Sequence, residues 1–195
     1  MLAAWLARLW TRRRLLVIEQ DTAALAEVRT PDGVRIAPLE GTAAEARALD
    51  EILTSGIARE FARRRAAGRE GLIAWRGDRA VGYTWMSRSV DPAVEGLPLA
   101  LPEEAAYLWD LFVVRDERGT GVGSALTAAR LAWARDEGFA FGWRLVRPAN
   151  RASVRTAEKT GEVGILGEIR IERTFGPRLV REVRCADRPL LTARG

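Results

Sequence analysis

The residues with the clearest chemistry in this chain are Arg118-Gly119-Thr120-Gly121-Val122-Gly123-Ser124. They follow an apolar run, Leu108 to Val114, and a charged turn, Arg115-Asp116-Glu117. They precede Ser124 to Glu137, a segment rich in helix formers. Strand, glycine loop and helix in that order offer backbone N–H groups and the positive end of a helix to phosphate oxygens. Glycine suits such a loop because a Cβ would block close approach of a ligand and disfavour positive φ. The spacing therefore predicts a phosphate-bearing ligand at a helix N-terminus. A tight connection with no ligand is the competing reading of the loop taken alone.

Two nucleotide loops fail on spacing. A P-loop needs Lys after its last glycine, and none follows here. A dinucleotide fingerprint counted from Gly119 reaches Ser124 at its sixth position, and counted from Gly121 it reaches Leu126. The spacing that fits is Arg-x-x-Gly-x-Gly, on Arg118, Gly121 and Gly123. Together with the preceding Asp110-Leu111-Phe112-Val113, it resembles the coenzyme A pyrophosphate loop of the GNAT superfamily of N-acetyltransferases. Downstream, Asn150-Arg151-Ala152-Ser153 and Lys159-Thr160-Gly161 resemble that family's second cofactor block.

The resemblance implies a mixed α/β fold: a twisted, mainly antiparallel sheet of about 6–7 strands flanked by helices, with one parallel strand–helix–strand unit at the cofactor site. It also implies transfer of an acyl group, acetyl by default, from acetyl-CoA or another acyl-CoA to a primary amine by direct attack in a ternary complex. In that casting the backbone of Arg118, Gly119, Thr120, Gly121, Val122, Gly123 and Ser124 binds the pyrophosphate, and the Arg118 guanidinium adds charge. The backbone of Phe112, Val113 and Val114 pairs with the pantetheine amides. Asn150 and Ser153 contact the pantetheine arm, with simple helix capping as their alternative role. Lys159 reaches a phosphate. An acceptor ammonium, with a pKa of about 10.4 for a Lys-type amine, must lose a proton before it attacks. Asp110 matches an acidic position of the family and is the first candidate base; Glu103, Glu104 and Tyr107 are alternatives. The family's usual Tyr, seven residues after the Asn, is Ala157 here, and the usual Phe after Gly161 is Glu162. A non-catalytic acyl-CoA-binding sensor or interaction domain is therefore the alternative function.

Composition excludes other chemistries. The chain has no His, so His-dependent triads and His-ligated metals are out. Its one Cys, Cys185, rules out an internal disulfide framework and points to a reducing, cytoplasmic setting. No metal site is expected. The net charge of +5 matches a polyanionic cofactor, and no nucleic-acid signature accompanies it. With 195 residues, 48% of them hydrophobic, one domain with a sizeable core is expected.

The elements that must position these residues follow from periodicity. Residues 1–16 read as an amphipathic basic helix: Leu2, Trp5, Leu6, Leu9 and Trp10 share a face, and Arg12, Arg13 and Arg14 end it. Such a helix suits peripheral membrane contact, docking on this chain, or a homodimer. Residues 17–186 form the acyltransferase domain and 187–195 a frayed tail. Leu15 to Glu19 and Val34 to Leu39 read as strands. Thr42 to Ala67 is helical and divided at Gly56, with Glu45, Asp50, Glu51 and Glu60 as candidates to meet a cationic acceptor. Gly71 to Arg76 and Ala80 to Arg88 form a hairpin about Gly77-Asp78. Asp91 to Glu104, with Pro92, Pro98 and Pro102, is a loop. Ala105 to Val114 is the central strand, Thr120 to Glu137 the cofactor helix, Phe139 to Val146 a strand, Ala149 to Thr160 a helix, and Ile165 to Cys185 a hairpin. Trp75, Trp85, Trp109 and Trp143 fall on these strands, as core or as walls of a wider acyl pocket.

Overall fold

The alternating and continuous apolar runs become strands β1 (Trp10–Asp21), β2 (Val34–Pro38), β3 (Glu70–Arg76), β4 (Arg79–Ser87), β5 (Ala105–Val113), β6 (Phe141–Val146), β7 (Gly164–Thr174) and β8 (Leu179–Arg184). The helical segments become α1 (Ala43–Ile52), α2 (Ile57–Ala66), α3 (Val122–Asp136) and α4 (Arg151–Glu158). The computed structural model describes residues 10–53, 56–90, 97–174 and 179–192. The strands form one eight-stranded sheet in the order β2-β3-β4-β5-β6-β1-β7-β8, antiparallel except for the parallel β5–β6 pair. The parallel pair is joined by α3, as the strand–helix–strand reading requires.

β1 begins at Trp10, five residues before the strand expected at Leu15, and it corrects the reading of the N-terminus. Residues 1–9 lie outside those described, but from Trp10 the chain is strand rather than helix. β1 is paired on both sides, with β6 along Leu16–Asp21 and with β7 along Trp10–Glu19. The arginines that suggested a helix's polar face meet acids of β7 instead: Arg12 pairs with Glu172 at 3.1 Å, and Arg14 pairs with Glu168. Cross-strand ion pairs and two ladders of backbone hydrogen bonds outweigh a short helical periodicity.

The tail expected to fray is docked as far as Thr192. Leu190 is fully buried, Leu191 bridges Leu99, and Glu182 Oε2 accepts from the N–H groups of Leu190 and Leu191 at 2.9 and 3.0 Å. Its apolar Leu190-Leu191 pair finds a core to enter, which composition near a terminus does not reveal.

Side chains alternate across the central strands. Tyr107 and Trp109 join Trp75, Trp85, Trp143, Leu49 of α1 and Phe61 of α2 in one aromatic layer. Ala106 and Leu108 face the other way, onto Leu131 and Ala134 of α3. Gly142 suits that second layer, since a Cβ there would meet Leu108 Cδ1 at 2.5 Å and Leu131 Cδ2 at 2.8 Å and both leucines would have to shift. The Thr42 capping box starts α1, and Gly56, with φ +95°, separates α1 from α2.

Candidate functional site

β5 and β6 pair only at Ala105↔Phe141, Ala106↔Gly142 and Tyr107↔Trp143. Beyond Tyr107 the two strands part, so the β6-facing edge of β5 has no ladder from Leu108 onward. On its other edge β5 carries a bulge: Tyr83 faces Phe112 and Trp85 faces Trp109, leaving Asp110 and Leu111 opposite Thr84. Asp110 takes φ +46°, the only positive φ among the described non-glycine residues. The bulge re-aims the backbone beside the opening, and an extended ligand can add to the free edge as a further strand does.

The glycine loop lies at the open end of this splay. Residues 115–117 form a single 3-10 turn, and Gly119 and Gly121 then take φ +86° and +104°. The N–H groups of Gly121, Val122, Gly123 and Ser124 donate to no other backbone group among the described residues. Four such donors at the start of a fifteen-residue helix are the kind of group that anions bind. The loop is braced from below. Glu117, buried, receives Arg76 Nε at 2.6 Å and Nη2 at 2.8 Å, and Thr120 Oγ1 donates to its carbonyl oxygen at 2.8 Å. The Arg76 guanidinium holds the Glu117 carboxyl below the usual range. A Cβ on Gly121 would come within 3.2 Å of Pro31 Cγ. Arg118 is exposed, and its Nε donates to the Val113 carbonyl at 3.1 Å, tying the loop to the strand end. Val114 donates its N–H to Val81 at 3.0 Å, so that group is engaged on the β4 side.

Asp110 stands exposed at the margin of the aromatic layer, on the side of α2. Its Oδ2 accepts from Arg64 of α2, and its Oδ1 accepts from Tyr83 Oη at 3.4 Å. Burial, with the nearby Asp110 charge, pushes the Tyr83 phenol above its ordinary value. Arg64 also pairs with Glu60 at 3.0 Å and lies over three rings, with Trp109 at 4.5 Å, Trp85 at 5.2 Å and Phe61 at 5.3 Å from its guanidinium carbon. Tyr107 is 1% exposed and stacks on Trp109. Glu103 and Glu104 are exposed at the other end of β5, where Glu104 faces Arg188 at 3.8 Å. Six residues of strand, roughly 20 Å, separate Glu104 from Asp110, so the structure does not bring the two together.

In the second block, Asn150 caps α4, its Oδ1 accepting from the Ser153 N–H at 3.2 Å. Lys159 is exposed at the C-cap. Ala157 is fully buried, and its carbonyl accepts from Gln20 Nε2 of β1 at 2.9 Å. Three features have no local sequence signal: the Arg76–Glu117 brace, the Arg64 cage and two buried arginines, Arg130 and Arg144. Their partners are distant in sequence, and surface and interior arginines look alike in a string. No group of acids or Cys suited to a metal occurs among the described residues, and no helix among them is long and apolar enough to cross a membrane.

A family model described as the acetyltransferase (GNAT) family matches residues 38–161, which contain α1 to α4, the splay and both cofactor blocks. The chain belongs to the GNAT acetyltransferase family. No curated protein sequence matches it significantly. Among solved structures, a GNAT-family acetyltransferase from Colwellia psychrerythraea aligns with a TM-score of 0.59 at 14% identity, covering 84% of this chain and 57% of that one. A ribosomal-protein-alanine N-acetyltransferase from Brucella melitensis biovar Abortus aligns at 0.50 and 21% identity, covering 66% and 91%. An aminoglycoside acetyltransferase from an uncultured soil metagenomic sample, in complex with sisomicin, aligns at 0.51 and 14% identity, covering 65% and 86%. At these identities the GNAT likeness is one of fold.

Proposed function

We propose that this GNAT-family chain is an acyl-CoA-dependent N-acyltransferase that acts on a primary amine, with acetyl-CoA as the reference donor. The observation that carries the reading is the row of free N–H groups from Gly121 to Ser124 at the mouth of the splayed β5–β6 pair. Those donors fit a pyrophosphate, and the unpaired edge of β5 fits the amides of an extended arm. The coenzyme A thioester supplies an acyl carbon open to attack and a thiol leaving group. The residues of this chain bind, orient and handle the proton. The braced loop holds the pyrophosphate, β5 aligns the arm, and Asp110 is the carboxylate at which the acceptor's proton would be held. A cytoplasmic location is part of the proposal, resting on a single exposed Cys185.

A second reading, coenzyme A binding without turnover, is favoured by one observation: Ala157, at the position where relatives use Tyr, is closed off beneath Gln20. Isothermal titration with acetyl-CoA, using NAD and ATP as controls, tests the donor. Selective binding is expected, and its absence overturns the proposal. Thiol release with a panel of amines then separates turnover from binding alone.

A further inference from the structure

Two arginines lie in the interior with no carboxylate partner among the described residues, although the Tyr107 phenol lies close enough to Arg130 to act on its charge. Arg130 of α3 and Arg144 of β6 are each 3% exposed. Arg130 Nη1 donates to Thr84 Oγ1 at 3.1 Å, but Arg130 Nε and the Nε and Nη2 of Arg144 donate to nothing. No carboxylate among the described residues pairs with either group. Burial lowers the pKa of both, and the charge of Arg130 lowers that of Arg144 further. Charged side chains buried this deeply ordinarily carry a partner.

Their place in the fold is specific. Arg144 is the first β6 residue beyond the last β5–β6 pair, Tyr107↔Trp143. Strand alternation sends it to the same face as Gly142, beneath α3. Arg130 precedes Leu131 on α3 and reaches Thr84, whose hydroxyl donates to the Trp109 carbonyl at 3.3 Å. Trp109 is the residue before the Asp110 bulge. Arg144 therefore lies at the closed end of the splay, and Arg130, near enough for its charge to act on Arg144, reaches under β5 to Thr84 of β4, while the pyrophosphate loop lies at the open end. An arm laid along β5 from the loop carries its acyl group to that closed end.

We propose that the acyl group received there bears a terminal carboxylate, held between Arg130 and Arg144, so that the preferred donor is a short dicarboxylic acyl-CoA of the succinyl class. The proposal rests on the coenzyme A reading above and narrows its donor. A guanidinium fork matches a carboxylate in shape and charge. One carboxylate between two like charges relieves their repulsion and engages donors that an acetyl methyl cannot. The cofactor's phosphates have their own donors at the loop.

Titration calorimetry on the full chain with coenzyme A, acetyl-CoA, butyryl-CoA and succinyl-CoA tests it. Butyryl-CoA and succinyl-CoA have the same number of acyl carbons and differ in the terminal carboxylate. Succinyl-CoA is expected to bind about 10–100-fold tighter than butyryl-CoA, the gain from one or two charge-assisted hydrogen bonds. It should also raise the melting temperature more at equal concentration. In Arg144→Met the succinyl-to-butyryl ratio should fall towards one. Equal or weaker binding of succinyl-CoA by the unaltered protein overturns the proposal while leaving the acyltransferase reading in place, and this comparison needs no variant to fold. Loss of affinity for all four ligands alike in a folded Arg144→Met assigns the guanidiniums to the shared arm and also overturns it. Failure of every ligand to bind the unaltered protein overturns the donor reading itself.

Discussion

Asp110 and Arg64 are joined across the aromatic layer: a carboxylate in a left-handed bulge of β5 accepts a hydrogen bond from a guanidinium stacked 4.5 Å from the centroid of Trp109. A non-glycine residue at positive φ costs about 1–2 kcal/mol, and Asp tolerates it better than most residues. Arg64 and Tyr83 offset that cost by anchoring the side chain from two directions. The same anchoring fixes a carboxylate beside the only unpaired edge of the central strand.

Asp110→Asn should therefore keep the fold and lose the chemistry. Asn also tolerates positive φ and still accepts from Arg64. If Asp110 takes the acceptor's proton, kcat should fall about 10²–10⁴-fold, with acyl-CoA affinity kept near that of the unaltered protein. Steady-state kinetics beside calorimetry check this. Unchanged kcat would reduce Asp110 to an anchor of the bulge.

Gly121→Ala meets two obstacles, φ +104° and Pro31 Cγ at 3.2 Å. The expected stability loss is about 1–2 kcal/mol. The expected loss in coenzyme A affinity is larger, because the first free N–H of the anion site is that residue's own. Urea unfolding and calorimetry measured on one preparation separate the two. Full affinity in the folded variant would remove the loop from the binding site.

Glu117→Ala releases Arg76 and removes the carboxylate that Thr120 Oγ1 also approaches at 3.2 Å, while the backbone acceptor of Thr120 stays. Glu117 is buried but Arg76 is part-exposed, so the stability loss should be about 2 kcal/mol. Acyl-CoA should bind more weakly while the acceptor's KM changes little. An acceptor KM that rises as much as the donor Kd would place the brace elsewhere in function.

Acid should destabilise the fold through two carboxyls held far from their usual range. Arg63 first, then Arg64, depresses Glu60 to about 2, and Arg14 with Arg170 depresses Glu168 to about 2. Because both folded values lie below the unfolded value of about 4.3, the ionised pairs stabilise fully above that pH. That contribution drains away as the pH falls from about 4.3 towards 2. Melting temperatures from pH 6 to pH 2 should fall across this window, and Glu168→Gln should flatten the profile. A profile of unaltered slope in Glu168→Gln would count against the pair.

Leu190→Ala tests the docked tail. A fully buried Leu truncated to Ala costs about 2–5 kcal/mol, whereas a residue in a frayed tail costs almost nothing. Chemical denaturation distinguishes the two directly.

Much of the glycine loop and of the helix that follows it was legible because its requirements are local. Positive φ at Gly119 and Gly121, a helix beginning at Val122 and a cap at Asn150 depend on residues within a few positions of one another. The Gly77-Asp78 hairpin and the Gly56 break were readable for the same reason. The N-terminal arginines misled, since a short stretch can satisfy helical spacing while cross-strand partners more than 150 residues away make it a strand.

The sequence by itself determined the family, most of the order of the elements and the glycine loop that opens a helix, because spacing alone dictates which backbone groups a glycine turn exposes. Only the tertiary structure decided that Arg64 occupies Asp110, that Ala157 is closed beneath Gln20, and that Arg130 and Arg144 are buried with no carboxylate partner among the described residues. Those facts depend on which side chains meet across the sheet. Charge and burial become properties of a residue only when strands distant in sequence are laid side by side.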